Sequence, residues 1–452
     1  MTDAVAGEKN VVFLVLDSLR TDRVSAYNEA VDFTPNLQSI ADSSIVFENA
    51  VTQAPWTLPS HASMFTGAYP WDHGTTHARS YFDGRETFIG ALGEAGYHTA
   101  AITPNVWITP HKGMTDDFDS VENFLAADNS VTQRLSRLST KLYDGLGTTT
   151  KRVMGRQLDR AFRLFGVDDS CKSEETVGAV EQYLSGQDND ENFFLYVNLM
   201  EPHEPYHPPA QYKEKHGVDD ESGIPHRQKD LFTMDEIDFE GLRRIYDASA
   251  DYTDDLVGRI TDALKANGLA EDTVVVLLSD HGQALGEDGA FGHQFTVAEP
   301  VINTVLMIDH PDLAARRESR LFELRRLQDL VPYYAGIAPE PEDVFSEIAL
   351  GGCEFPENFT GFIPTDEWDT YYRKLRYAKT TDTTVVKSVG EDGDAIYTAI
   401  DLDSGEEIAV PADLKRAVDG IGDVEVGDAD SLQEPGEADA EVTQRLEALG
   451  YR

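Results

Sequence analysis

Five short apolar runs constrain this chain more than any other feature. They occupy residues 11–16, 99–102, 193–199, 273–278 and 301–308. Each is too short for a stable helix and rich in β-branched or aromatic residues. That is the signature of a strand buried on both faces, the usual state of a strand in a parallel sheet. Helical periodicity fills the intervals, at residues 34–43, 85–95, 175–185 and 240–267. Strands alternating with helices predict an α/β fold: a doubly wound, mostly parallel sheet flanked by helices. A length of 452 residues leaves room for an appended unit, and 40% hydrophobic residues suffice for a large core.

The appended unit is legible as a change of period. A proline-rich APEPED at 338–343 closes the first pattern, so residues 1–340 are expected to form the main catalytic α/β domain. Residues 341–421 read as a small C-terminal α+β subdomain with an antiparallel sheet. Its strands alternate in LRYAKT, TTVVKSV, AIYTAID and EEIAV, and hairpins are expected at GEDGD and DLDSG. Residues 422–452 read as an acidic flexible segment ending in a short helix, TQRLEALGYR. The stretch 129–169, rich in Arg, Lys, Leu and Thr, reads as helices outside the sheet, either a lid or inert padding.

Charge excludes several partners. Asp plus Glu number 82 against 37 Lys plus Arg, a balance of −45 spread along the chain. Such a surface repels nucleic acid and anionic membranes. It is also the composition of proteins that stay soluble in very high salt, the haloarchaeal type, although an ordinary acidic enzyme is the plainer alternative. Two distant cysteines, Cys171 and Cys353, argue against a disulfide scaffold or zinc ribbon. No basic leader with an apolar core and no run of membrane-span length is visible, so a cytoplasmic protein is expected. The oligomeric state is not readable.

The chemistry lies where strands end. In an open α/β sheet, ligands gather beyond the carboxyl ends of the strands. VVFLVLD ends in Asp17, FFLYVNLMEPH leads to His203, and TVVVLLSDHG ends in Asp280 and His281. Each has a bland reading: Asp17 as a helix cap, Asp-His-Gly as a turn, His203 as part of a stiff loop between prolines. Should the strands be parallel neighbours, the side chains converge. Two carboxylates and an imidazole suit one divalent cation such as manganese, zinc, magnesium or calcium. In APWTLPSHASMFTG, Thr57 stands just before Pro59 in a first helical turn. It is either a plain N-cap or a hydroxyl at the positive end of a helix, where a metal can activate it as a nucleophile.

Together these stretches resemble the sulfatase family of the alkaline phosphatase superfamily. NVVFLVLDSLRTD resembles the family's first metal strand, and TPNLQSIADSSIVFENAVTQAPWTLPSHASMFTGAYPWDHG its nucleophile region. EAGYHTAAITPN, LSDHGQALGEDGAFGHQ, YTAIDLDSGEE and LEALGYR follow in the family's order. The resemblance implies that Asp17, Asp280 and His281, with Thr57, hold the metal. It puts Thr57 at the nucleophile position. His203 and His293 would bind the ester group and donate protons, and His61 and Asn105 would contact substrate.

This sequence departs from the family at Thr57-Leu58-Pro59-Ser60-His61, where sulfatases proper carry Cys or Ser in Cys-x-Pro-Ser-Arg, converted to formylglycine. Threonine cannot become that aldehyde hydrate. Ser18 replaces the second Asp of the first motif, and His61, Asn105 and His293 stand where Arg, Lys and Lys are usual. The expected activity is hydrolysis of a sulfate or phosphate ester of a small molecule or glycan. The alternatives are a phosphoglycerol- or phosphoethanolamine-type transferase or phosphodiesterase acting on a glycan or lipid headgroup, and a binding protein that has kept the fold without catalysis.

Overall fold

The computed structural model describes residues 7–124, 171–187 and 191–423. The segment 129–169 and residues 424–452, including the expected terminal helix, lie outside them.

The main sheet has nine strands. Its first six strands in chain order are β1 (Asn10–Leu16), β2 (Ile45–Val51), β3 (His98–Thr103), β4 (Ser120–Asn123), β5 (Phe193–Leu199) and β6 (Thr273–Leu278). After a small ribbon of β7 (Ala284–Leu285) and β8 (Phe291–Gly292), the sheet is completed by β9 (Asn303–Thr304), β10 (Leu306–Asp309) and β11 (Arg316–Glu323). The spatial order is β11-β2-β10-β6-β1-β5-β3-β4, with β9 beside β2. β1 pairs in parallel with both β5 and β6, and β3 in parallel with β5 and β4. The order departs from chain sequence on both sides of β1, so the chain winds both ways from the centre.

Continuous apolar strands follow from burial on both faces. Val11, Phe13 and Val15 point into one core with Phe194, Tyr196, Val274 and Val276. Val12, Leu14 and Leu16 point into the other with Leu195, Val197, Val275 and Leu277. This is the two-residue alternation of a pleated strand with apolar neighbours above and below. Helix Thr57–Thr66 covers the first face through Leu58, Ala62 and Phe65. The long helix Phe239–Ala266 and helix Ser173–Ser185 cover the second through Leu256, Val257, Ile260, Val177 and Val180. Thr87 caps helix Phe88–Glu94 by accepting from the Gly90 amide at 3.1 Å.

Two expectations are corrected. Residues 301–308 are not one parallel strand. Helical turn Glu299–Ile302 precedes β9 and β10, and β10 runs antiparallel to both β6 and β2. The fourth C-terminal strand, EEIAV, forms only a single bridge, Ile400 to Glu407. Its place in the small sheet is taken by β12 (Ala349–Cys353), ahead of β13 (Lys374–Lys379), β14 (Thr383–Val389) and β15 (Ala395–Asp401), all antiparallel. Turns close as expected at Gly390–Asp394 and Asp401–Gly405. No helix among the described residues is long and apolar enough to cross a membrane.

Candidate active site

Because β1, β3, β5 and β6 are parallel, their carboxyl ends open on one edge. Asp17 follows β1, Asn105 follows β3, His203 follows β5, and Asp280 and His281 follow β6. Helix Thr57–Thr66 starts at the same edge. The Asp17 amide bonds the Leu199 carbonyl at 2.9 Å, which continues the β1–β5 ladder to the first acidic residue.

Asp17, Asp280 and His281 are fully buried, and one ligating atom from each lies within 4.8 Å of the others. The Asp280 Oδ1 accepts from the amides of Ser18 (3.3 Å) and His281 (3.0 Å), while its Oδ2 has no hydrogen-bond partner among the described residues. Ser18 holds a left-handed backbone, φ 63°, to aim that amide, a conformation costing a non-glycine residue about 1 kcal/mol. His281 donates from Nδ1 to the Gly282 carbonyl (2.9 Å), which leaves the Nε2 lone pair facing Asp280 Oδ2 at 3.5 Å and Asp17 Oδ1 at 3.8 Å. Gly282 is glycine of necessity, since a Cβ there would lie 1.9 Å from the Pro300 carbonyl oxygen.

This donor set fits a divalent cation. Burial, and then repulsion from Asp280, push the Asp17 carboxyl up to about 6. Burial pushes Asp280 up to about 7. Two mutually repelling buried carboxylates, an orphaned oxygen and an imidazole with a fixed tautomer are the features a metal would satisfy.

Thr57 is the first residue of its helix rather than its cap. The cap is Trp56, which makes no side-chain capping bond. The Thr57 hydroxyl instead lies 3.5 Å from His281 Nε2, buried within the carboxylate cluster.

His61 and Asn105, which the resemblance placed against substrate, have other partners here. His61 donates from Nδ1 to the Thr57 carbonyl (2.8 Å) and accepts at Nε2 from the Tyr196 hydroxyl (2.9 Å). Burial drives its pKa down to about 3, so the ring is a neutral tie between helix and sheet and not a substitute for a fixed cation. Asn105 donates to Asp17 Oδ2 at 2.9 Å and receives the Trp107 amide at 2.8 Å. Its side chain orients the carboxylate.

His203 and His293 do meet, with ring centroids 5.1 Å apart, and His293 lies 4.4 Å from the His281 ring. Between them stands Glu204, a buried carboxylate that the sequence reading passed over. Its Oε1 accepts from Gln228 Nε2 at 2.6 Å and its Oε2 from Gln283 Nε2. Gln283 Oε1 in turn receives His293 Nδ1 at 2.8 Å. His203, Glu204 and His293 form a second group with ligating atoms within 4.8 Å of one another. Burial opposes charge on His203, but Glu204, Asp17 and Asp280 together outweigh it and hold the ring above the ordinary imidazole range. Burial and the neighbouring rings of His281, His203 and His77 hold His293 well below it. The sequence signal for Glu204 was its place in EPHEPY beside His203; nothing local distinguishes it from a solvated glutamate.

The Sulfatase family profile matches residues 9–331. The chain is 24% identical over 409 residues to the uncharacterized sulfatase YidJ of Escherichia coli (strain K12), spanning 81% of this chain and 78% of that protein. It is 24% identical over 364 residues to an arylsulfatase of Clostridium perfringens (strain 13 / Type A), spanning 72% and 73%. Among solved structures, the phosphonate monoester hydrolase of Agrobacterium radiobacter shares the fold with a TM-score of 0.64 at 18% identity, covering 98% of this chain and 96% of that one.

Proposed function

The chain belongs to the sulfatase family, a family of ester hydrolases, and on that premise we propose that it cleaves a sulfate or phosphate ester by attack of the Thr57 hydroxyl. The observation carrying this reading is the position of Thr57, opening a helix at the edge where Asp17, Asp280 and His281 converge. Asp17, Thr57, Asp280 and His281 would hold one divalent ion: manganese, zinc, magnesium or calcium. Such an ion supplies Lewis-acid charge and lowers the pKa of a hydroxyl it binds.

The chain's own groups account for the remaining steps. The first turn of helix Thr57–Thr66 presents the positive end of the dipole to an anionic group. Thr57 Oγ1 attacks the sulfur or phosphorus in line, and the ester bond to the alcohol breaks. His61, neutral and bonded at both nitrogens, fixes the helix against β5 and so sets the direction of attack. His203 keeps a proton near neutral pH and gives it to the departing alcohol. His293, neutral and donating from Nδ1 to Gln283, offers an Nε2 lone pair that would accept from the O–H of the departing alcohol or the incoming water. Water then releases sulfate or phosphate from Thr57. A transferase acting on a glycan or lipid headgroup differs only in the acceptor of that last step, and a phosphodiesterase only in the second ester group that its substrate carries. Threonine in place of formylglycine favours the phosphoryl side of this choice.

We also place the catalytic unit at residues 1–340, with 341–421 docked on it through Val51, Leu321, Ala349 and Tyr377. The −45 charge is read as adaptation to molar salt in a cytoplasmic enzyme. The test is a panel of aryl sulfates, phosphomonoesters, phosphodiesters and phosphonate monoesters in molar salt with each divalent metal, with and without a sugar acceptor. Turnover of at least one ester, abolished by chelation and by Thr57→Ala, is expected. Turnover that survives both would sink the proposal.

A further inference from the structure

Against Trp56, the residue before Thr57, lies a side chain that the steps above do not use. His77 is only 5% exposed, yet among the described residues neither of its ring nitrogens has a hydrogen-bond partner. Leaving a buried polar group unbonded is costly, and such groups in folded proteins call for a reason.

The ring is also held still. It stacks on Trp56 at 4.4 Å with planes 14° apart, and Trp56 is packed edge-on by Trp107 at 5.3 Å. Trp56 directly precedes Thr57, and Trp107 donates its amide to Asn105, which orients Asp17. His77 therefore belongs to the same wall as the nucleophile. It is also one of the three rings close enough to His293 to hold that ring's proton affinity down. Burial drives its own pKa down to about 3, so it offers one N–H and one lone pair and no charge. A fixed neutral edge with one donor and one acceptor suits an oxygen of a bound ester or its alcohol.

We propose that His77 is a substrate-binding residue, completing its missing hydrogen bond on an oxygen of the bound ester. This rests on the reading of the chamber as an ester-cleaving site.

The experiment compares His77→Phe, which keeps the stack on Trp56 and removes both nitrogens, with His77→Gln, which restores a donor and an acceptor. Melting temperature, kcat/KM on the best ester of the panel, and binding of inorganic phosphate and sulfate by calorimetry are measured for each, in molar salt with divalent metal. His77→Phe should melt at or above wild type, because an unbonded buried group has gone, while kcat/KM falls at least tenfold. His77→Gln should recover part of that loss. A parallel tenfold weakening of inorganic anion binding places the contact on the transferred group; unchanged anion binding places it on the alcohol. Wild-type kcat/KM in His77→Phe overturns the proposal and leaves His77 a packing residue. A wild-type protein that turns over no ester and binds neither anion overturns the underlying reading as well.

Discussion

Replacing Asp280 by asparagine should make the metal-free protein more stable. In the folded state the Asp280 carboxyl is raised from the ordinary 3.8 to about 7, first by burial. A carboxyl so raised favours the fold while it is protonated. That contribution is complete below pH 3.8 and is lost as pH climbs through about 7. At 1.36 kcal/mol for each tenfold change in proton affinity, holding the anion at pH 8 costs on the order of 4 kcal/mol. The asparagine is accommodated without rearrangement. Its Oδ1 keeps the Ser18 and His281 amides, and its Nδ2 replaces the partnerless Oδ2, 3.5 Å from the accepting Nε2 of His281. With an unfolding entropy of about 2.1 cal/mol/K per residue, a chain of 452 residues moves its melting temperature by roughly 1 °C per kcal/mol. Chelated Asp280→Asn should therefore melt ~4 °C above chelated wild type at pH 8. As pH falls to about 4 the two should converge. Added manganese should raise wild type and leave the variant nearly unmoved. Calorimetric melts in molar potassium chloride, with chelator or manganese, give all three comparisons. A chelated variant melting below chelated wild type at pH 8 would refute the claim that this carboxylate is strained without a cation.

Other expectations concern catalysis and salt. Thr57→Ala should lose about 10³-fold or more in turnover with little change in melting temperature, while Thr57→Ser keeps measurable activity; normal turnover by the alanine variant would make direct attack by water the better account. His203→Gln should slow alkyl esters by ~10²–10⁴-fold but nitrophenyl esters far less, because an activated leaving group needs no proton. In wild type the alkyl-ester rate should fall as pH rises through the raised His203 pKa, and equal losses on both substrate classes would remove His203 from the proton-donor role. Melting temperature should climb with potassium chloride into the molar range, and a steady fall would contradict the salt-adapted reading.

How far the sequence carries depended on whether the deciding contact was local. β1, β5 and β6 were readable because burial on both faces makes every position apolar. β2 was not: Glu48 is exposed and Asn49 half-buried in the middle of IVFENAV, which breaks the run. β11 is an edge strand whose RRESR half is mostly solvated, so it reads as a loop. The reversed direction of β10 has no local signature at all. At the site, Asp17, Thr57, Asp280 and His281 were legible because each ends a strand or opens a helix. Glu204, Gln228, Gln283 and Tyr196 were not, because their roles arise from burial and from partners distant in sequence.

His61 shows the same limit from the other side. By position it was expected to contact substrate in place of an arginine, but it is completely buried, held neutral, and bonded to the Thr57 carbonyl and the Tyr196 hydroxyl. The consequence extends to the whole molecule. The chamber gathers three buried carboxylates, Asp17, Glu204 and Asp280, in a protein whose overall charge is already −45. An anionic ester approaching it is repelled over any distance that the solvent leaves unscreened. At 1 M salt the Debye length is about 3 Å, which removes that repulsion everywhere except at contact. Contact is where the helix amides, the ring of His203 and a bound divalent ion would act. Were the chain salt-adapted and ester-cleaving as proposed, molar salt would serve substrate capture as well as folding, because it would silence the surface without reaching the few charges that the buried site needs.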